Sequence, residues 1–269
     1  MPELEVLFED NHLLVVNKPA GLPTMGAESG DTVHSLAAQY IKQKYNKPGR
    51  VFIGIVSRLD AMTSGALVLA RTSKAASRLT KQFASKALEA SKDLENIGKQ
   101  KTKSDQAVTI SPRKVYLAVV EGNLDAEADH WTDQIRKDES AHRMRLSSTP
   151  QDDSKTAELR YQSLAVSRTS TTIAVELLTG RKHQIRTQFA DRDHPILGDR
   201  KYGSQIKFKT GIALHSWRLQ IEHPTKRVPM WFEARLPPSW QKFQNELPSK
   251  ATLRQQTRQF FPPRPPEIR

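Results

Sequence analysis

Apolar positions in this chain fall mostly in short runs separated by proline, glycine and charged turns, and few stretches keep a helical period. Val6, Leu7 and Phe8, a turn at Asp10-Asn11 and then Leu13-Leu14-Val15-Val16 predict a β-hairpin closed by Lys18-Pro19-Ala20-Gly21. Thr32 to Tyr45 puts Val33, Leu36, Ala37, Tyr40 and Ile41 on one helical face, with Asp31 or Thr32 placed to cap it. Lys47-Pro48-Gly49 breaks that helix, and the run Arg50 to Val56 predicts a strand leading into Ser57-Arg58-Leu59-Asp60. A second apolar run, Ala66 to Ala70, follows. Ser73 opens a helix through Ala76, Leu79, Phe83, Ala87 and Leu88, which fades near Gly98 into the basic stretch 99–104.

Further on, Lys114 to Gly122 is a strand ending in a turn. Residues 123–155 are polar and rich in turn formers, with few apolar anchors beyond Trp131, Ile135, Met144 and Leu146. Two strands, Ala157 to Val166 and Thr171 to Leu178, precede a short basic helix from Arg181 to about Ala190. Residues 195–203 form a loop, and Ile212 to Ile221 pairs with Val228 to Ala234 across a turn at His223. A last helix covers about Ser239 to Leu247. Strands dominate and helices are not regularly interleaved, so the expected class is α+β with a large, mostly antiparallel sheet. One domain is expected over residues 1–248, with an exposed, mobile helix end and loop over 90–111. A basic, proline-rich tail over 249–269 is expected to be disordered.

Charge narrows the partners. The chain has 269 residues, 42 Lys and Arg against 29 Asp and Glu, and a net charge of +13. Such an imbalance fits a polyanionic partner, nucleic acid first of all. Cysteine is absent, which excludes disulfides, thiolate metal sites and a cysteine nucleophile, and suits a reducing compartment. No apolar run approaches the roughly 20 residues of a membrane helix, and the acidic start has no signal-peptide pattern. A cytoplasmic monomer without membrane association is the expectation.

Familiar cofactor motifs are missing: there is no phosphate loop, no dinucleotide glycine pattern and no His-Glu-x-x-His. The eight histidines are scattered, so neither a metal nor a cofactor is expected. Three stretches remain as candidates for chemistry. Asp60 lies two residues from Arg58 in a polar turn between apolar runs, where a structural Asx turn and a catalytic carboxylate are both open. Arg181, Lys182 and Arg186 follow Gly180, an arrangement that binds anions, pairs with a buried carboxylate or forms an ordinary basic surface. Tyr116 sits within a strand, where a core tyrosine is the plain alternative to a stacking platform. A carboxylate-dependent hydrolase would need a second well-placed acid, which no stretch supplies.

Taken in order, SRLDAMTSGALVLA at 57–70, RKVYLAVVEG at 113–122, TGRKHQIR at 179–186, HPILGDRKYG at 194–203 and ALHSWRLQIEHP at 213–224 resemble the RluA-type pseudouridine synthases. The opening EDNHLLVVNKPAGL at 9–22 is similar to that family's start, so the resemblance runs from about residue 5 to 240. It implies isomerisation of uridine to pseudouridine in ribosomal or transfer RNA, without cofactor or metal. It implies further that Asp60 is the catalytic aspartate, that Tyr116 stacks on the target base, and that Arg186 pairs with Asp60. Arg58 would hold the RNA or fill the space of the extruded base, the apolar side chain near Leu214 would close the pocket, and Arg181 and Lys182 would meet RNA. The family's mixed, largely antiparallel sheet with a central cleft is the implied fold. Ser57 stands where the family usually has histidine, Ala61-Met62 replaces a charged pair, and Gln188 replaces a second histidine. The segment near 84–111 is longer than the family needs, which implies a flexible insertion. The family's small N-terminal RNA-binding appendage does not precede the motifs, so recognition is expected from the catalytic domain. An inactive RNA-binding or assembly protein on the same fold is the alternative of a different class.

Overall fold

A computed structural model describes residues 4–26, 30–93, 111–148, 153–244 and 247–258. The expected single domain divides into two compact units, Met1–Pro112 with Leu219–Ala234, and Arg113–Arg218 with Arg235–Arg269.

In the first unit, the expected hairpin is β1 (Glu5–Glu9) and β2 (Leu13–Lys18), whose turn is fixed by Asp10 accepting the backbone N–H groups of His12 and Leu13. Helix α1 (Val33–Lys44) starts at Thr32, whose hydroxyl accepts the N–H of Ser35 while Ser35 reaches back to the Thr32 N–H. That reciprocal cap satisfies two backbone donors that a helix start otherwise leaves open. The strand expected over 50–56 shrinks to β3 (Gly54–Ile55), paired with the end of β4 (Ser64–Ala70). Phe52 in that run is half exposed. Gly54 is required where it stands: a Cβ there would come within 2.8 Å of the Ala76 Cβ on α2 (Ser73–Asp93).

Strand β2 pairs with β4 antiparallel, from Leu13 opposite Ala70 to Lys18 opposite Gly65. All seven residues of β4 are buried, so this is a strand covered on both faces, and its unbroken apolar composition follows from that. Leu13, Val15, Val68, Ala75 and Leu79 form its core with Leu219, Ile221 and Phe232. Helix α2 continues through Asp93, so the first third of the expected insertion is helix; residues 94–110 lie outside the described residues.

The second unit is built on β5 (Arg113–Glu121), β6 (Ala128–Asp138), β7 (Arg143–Ser147), β8 (Lys155–Val166) and β9 (Ser170–Leu177), in the order β5-β9-β8-β6-β7. The pairings β5–β9, β8–β9, β6–β8 and β6–β7 are all antiparallel. The long hairpin β6–β7 lies in the stretch expected to be turn-rich. Trp131, Asp133 and Ile135 fall on one face by strand alternation, and Trp131 and Ile135 are buried there.

Helix α3 (Gln184–Ala190) lies across that face through Phe189, whose ring is 4.6 Å from Trp131 and 5.6 Å from Tyr161. Its start is later than expected, because Arg181 to His183 form a turn and His183 takes a left-handed φ of 53°. Strand β10 (Leu214–Glu222) passes from the second unit into the first, where it pairs with β11 (Pro229–Glu233).

Two C-terminal elements close the second unit. The expected final helix is a single turn, α4 (Gln241–Gln244), after a 3-10 turn at Pro238–Trp240. Residues 249–258 correct the expectation of disorder: Ser249 caps α5 (Lys250–Gln256), Leu253 is buried, and fully buried Thr257 lies beside Arg218. Residues 259–269 lie outside the described residues. The α+β class with a dominant antiparallel sheet holds.

Candidate active site

Asp60 sits half-buried in the loop that joins β3 to β4, and its carbonyl accepts the Thr63 N–H in a tight turn. The loop is braced from the other side of the first unit. Thr24 Oγ1 donates to the Leu59 carbonyl at 2.8 Å, and the Gly21 N–H donates to the Ala61 carbonyl at 2.8 Å. Arg58 is exposed beside the buried Leu59 anchor, so its guanidinium faces solvent on the same loop as Asp60. Gly65, which follows, has a φ of 115°, a conformation that disfavours any side chain.

Lys18 is the residue of this loop that the sequence did not disclose. It is fully buried at the end of β2, and its Nζ donates to the carbonyls of Pro19 at 2.9 Å, Leu22 at 2.8 Å and Ala61 at 3.0 Å. Burial pushes its pKa down to about 7, and the nearby charge of Asp60 opposes that shift. Three acceptors match the three N–H groups of an ammonium, which an amine cannot satisfy at once. The geometry therefore selects the charged form and sets a buried cation behind the aspartate.

Tyr116, Arg181, Lys182, Arg186 and Leu214 belong to the second unit. Tyr116 is buried in β5 opposite Val175, which in turn pairs with Tyr161, so it shares the sheet face that α3 covers. Arg186 projects from α3 into the interior, where Nε and Nη2 hold the two oxygens of Asp199 at 2.6 and 2.9 Å. The ring of Tyr202 lies 4.8 Å from its guanidinium. Tyr202 is itself tied at its hydroxyl, by His183 Nδ1 at 2.8 Å and the Met144 N–H at 3.0 Å. Burial pushes the Tyr202 hydroxyl pKa up, against the lowering effect of Thr187 and the Met144 N–H, so it stays a neutral phenol.

A buried, bidentate guanidinium under an aromatic ring is fixed to within one rotamer. The anion-binding and carboxylate-pairing alternatives for Arg186 thus resolve to pairing, with Asp199 as one partner. Arg181 is half-buried and spends its Nε on the Thr156 carbonyl at 2.7 Å, while Lys182 is exposed. Leu214 is buried at the start of β10. Asp199 and Tyr202 both lie in the conspicuous stretch PILGDRKYG, but nothing in its spacing names Arg186 as their partner. Among the described residues no cluster of three or more His, Asp or Glu could hold a metal, and no helix is long and apolar enough to cross a membrane.

The chain matches the profile of a family described as RNA pseudouridylate synthase over residues 12–94 and 96–191. Among curated proteins it is 32% identical over 223 residues to "Uncharacterized RNA pseudouridine synthase YhcT" of Bacillus subtilis, covering 82% of this chain and 65% of that one. It is 30% identical over 266 residues to "Ribosomal large subunit pseudouridine synthase D" of Xanthomonas campestris, covering 91% of this chain and 69% of that one. The chain therefore spans about two thirds of the length of these relatives. Among solved structures, the human RNA pseudouridylate synthase domain containing 4 superimposes with a TM-score of 0.67 at 20% identity, covering 89% of this chain and 93% of that one.

Proposed function

The chain belongs to the RluA-type RNA pseudouridylate synthase family, and from that premise we propose that it isomerises uridine to pseudouridine in a structured RNA, with Asp60 as the catalytic residue. The observation that carries this reading is the Asp60 loop, a half-buried carboxylate between an exposed arginine, Arg58, and a buried ammonium, Lys18.

The reaction breaks the bond between uracil nitrogen 1 and the ribose, turns the base, and rejoins it through carbon 5. Atoms and electrons balance within the nucleotide, so the chemistry needs neither an oxidant nor an added group. Extruding the target base costs a few kcal/mol, and stacking on an aromatic ring recovers about 1–3 kcal/mol. Tyr116 is the ring assigned to that role. A carboxylate can attack the sugar as a nucleophile or remove a ribose proton as a base, and Asp60 serves either route. Arg186 is proposed as the charge partner of Asp60, Arg58 as the contact that fills or flanks the space of the extruded base, and Leu214 as the apolar wall.

The net charge of +13 supports a sequence-independent hold on the RNA backbone, with Lys182 contributing. Arg181, occupied with the Thr156 carbonyl, contributes more to the shape of the site than to RNA. The substrate class is ribosomal or transfer RNA in the cytoplasm, and ribosomal RNA is the first to test because the Xanthomonas relative carries that name. Mapping pseudouridine across cellular RNA with and without the gene tests this: a site lost with the gene identifies the substrate, and an unchanged map rejects the reading.

A further inference from the structure

Strand alternation gives the hairpin β6–β7 a second face that α3 does not cover. Asp133 turns toward α3, where it meets Gln188 and Arg192, so Gln134, Arg136 and Asp138 turn the other way. Their cross-strand neighbours are Ser147, Arg145 and Arg143. Arg136 and Arg145 are therefore direct opposites on one face, where like charges destabilise a strand pair.

The acids on the same face of the sheet do not repay that repulsion. Arg145 approaches Asp138 Oδ2 only to 4.0 Å, while Oδ1 of that carboxylate accepts the Ser140 hydroxyl at 2.7 Å and the Ala141 N–H at 3.1 Å. Glu158 is occupied by His130 at 2.6 Å, and Glu176 by Arg113 and Arg160 at 2.8 and 3.2 Å. Among the described residues Arg136 has neither an ion pair nor a hydrogen-bond acceptor, and its Nε is buried. A buried donor without an acceptor costs stability. The remaining guanidinium N–H groups of the opposed pair, on half-buried Arg136 and exposed Arg145, can be met together by one external anion with several acceptor oxygens.

We propose that Arg136 and Arg145 clamp a phosphate of the RNA backbone on the outer face of this hairpin, with exposed Arg143 extending the track. The assignment of the anion to RNA rests on the proposed function. A guanidinium fork matches a phosphate bidentately, and the surplus of basic residues over the whole chain is of the right sign. The clamp shares strand β7 with a brace of the site residues of its own unit, although it lies on the opposite face of the hairpin. The Met144 N–H, next to Arg145 on β7, donates to the Tyr202 hydroxyl, and the Tyr202 ring lies over Arg186. RNA gripped on the outer face of β7 is held by the strand whose Met144 N–H fixes Tyr202 against Arg186.

The test is binding of a fluorescently labelled RNA stem-loop to the full chain across a salt series from about 50 to 200 mM. The double variant Arg136→Gln/Arg145→Gln is expected to bind about tenfold more weakly at the low end, with a log–log salt slope shallower by about 0.9, the loss of one phosphate contact. Arg136→Lys/Arg145→Lys is expected to keep the slope while binding more weakly than wild type, since an ammonium lacks the fork. The Gln variant should melt at or above the wild-type temperature because a repulsion has been removed. Unchanged affinity and slope in the Gln variant would overturn the proposal, and so would a lowered melting temperature with unchanged binding, the mark of a structural pair. Poly-L-glutamate bound as tightly as the stem-loop and lost equally in the Gln variant would reassign the surface to an acidic protein. The two readings fail separately. If no RNA acquires pseudouridine yet the Gln variant still loses the stem-loop, the reaction falls and the surface stands; if pseudouridine forms and the Gln variant binds normally, only the clamp falls.

Discussion

Three backbone carbonyls close around the Lys18 ammonium, and one of them belongs to Ala61, the residue after the proposed catalytic carboxylate. Replacing Lys18 with Met keeps the length of the stem and removes all three donors. The Ala61 carbonyl keeps the Gly21 N–H, but the Pro19 and Leu22 carbonyls lose the ammonium, a loss of about 1–3 kcal/mol that urea titrations of Lys18→Met should show. The variant should lose activity well beyond what the stability change explains, because the Asp60 loop loses both a brace and a neighbouring charge. Asp199 holds Arg186 in the same fixed manner. Asp199→Asn removes the bidentate carboxylate from a buried guanidinium, a change that costs about 3–5 kcal/mol. If Asp199 positions a group used in the chemical step, kcat should fall while KM changes little; a proportionate loss explained by unfolding alone would make it merely structural. Asp60, Arg58 and Arg186 can be proposed from the sequence because they sit in polar motifs among apolar runs. Lys18 cannot, because a lysine after an apolar run looks like a strand end meeting water. Its burial depends on the pairing of β2 with β4, which places it opposite Gly65.

At the scale of elements, local signals predicted the pieces whose stability is mainly local. The β1–β2 hairpin and α1 were readable from turn and cap residues, and both stand as expected. The β6–β7 hairpin was missed because its alternate positions are charged and only Trp131 and Ile135 announce the buried face. Its strand character comes from pairing with β8, more than twenty residues away in the chain, as in Thr132 opposite Glu158. Helix α5 was hidden by the basic, proline-rich composition of the segment it opens, although Leu253 and Thr257 stand four residues apart and bury one helical face. The run at 50–56 failed in the opposite sense, since its β-forming residues find a partner strand only at Gly54–Ile55.

One carboxylate ties several of these elements together. Glu9 at the end of β1 accepts Tyr40 at 2.8 Å, Lys44 at 2.7 Å and Tyr45 at 2.6 Å from α1 and its cap, and Arg71 at 2.9 Å from the end of β4. Burial alone would raise its pKa, but the hydrogen bonds from Lys44, Tyr45 and Tyr40 outweigh it and hold the group below its ordinary 4.5. A carboxyl depressed in the folded state adds stability that is complete above 4.5 and is lost as pH falls through the folded value. Chemical denaturation should therefore show Glu9→Gln less stable than wild type at neutral pH, with the gap closing as pH falls below 4.5. A gap that persists unchanged into acid would show that the charge on Glu9 is not what stabilises the junction.

For the molecule as a whole, composition and motif order carried most of the functional reading, and the surplus of positive charge gave the partner class before any element was placed. The division into two units was not legible, because it turns on β10 leaving one unit at Arg218 and entering the other at Leu219, within one unbroken and wholly buried strand. The central claim remains chemical: one carboxylate, Asp60, performs the isomerisation. It is tested most directly by incubating purified wild type and Asp60→Asn with ribosomal and transfer RNA from cells lacking the gene, and counting the pseudouridine formed. The predicted result is new pseudouridine with wild type and a loss of at least a thousandfold in rate with Asp60→Asn, about 4 kcal/mol of transition-state stabilisation, at unchanged RNA affinity. Equal amounts of pseudouridine from the two proteins, or none from either, would contradict it.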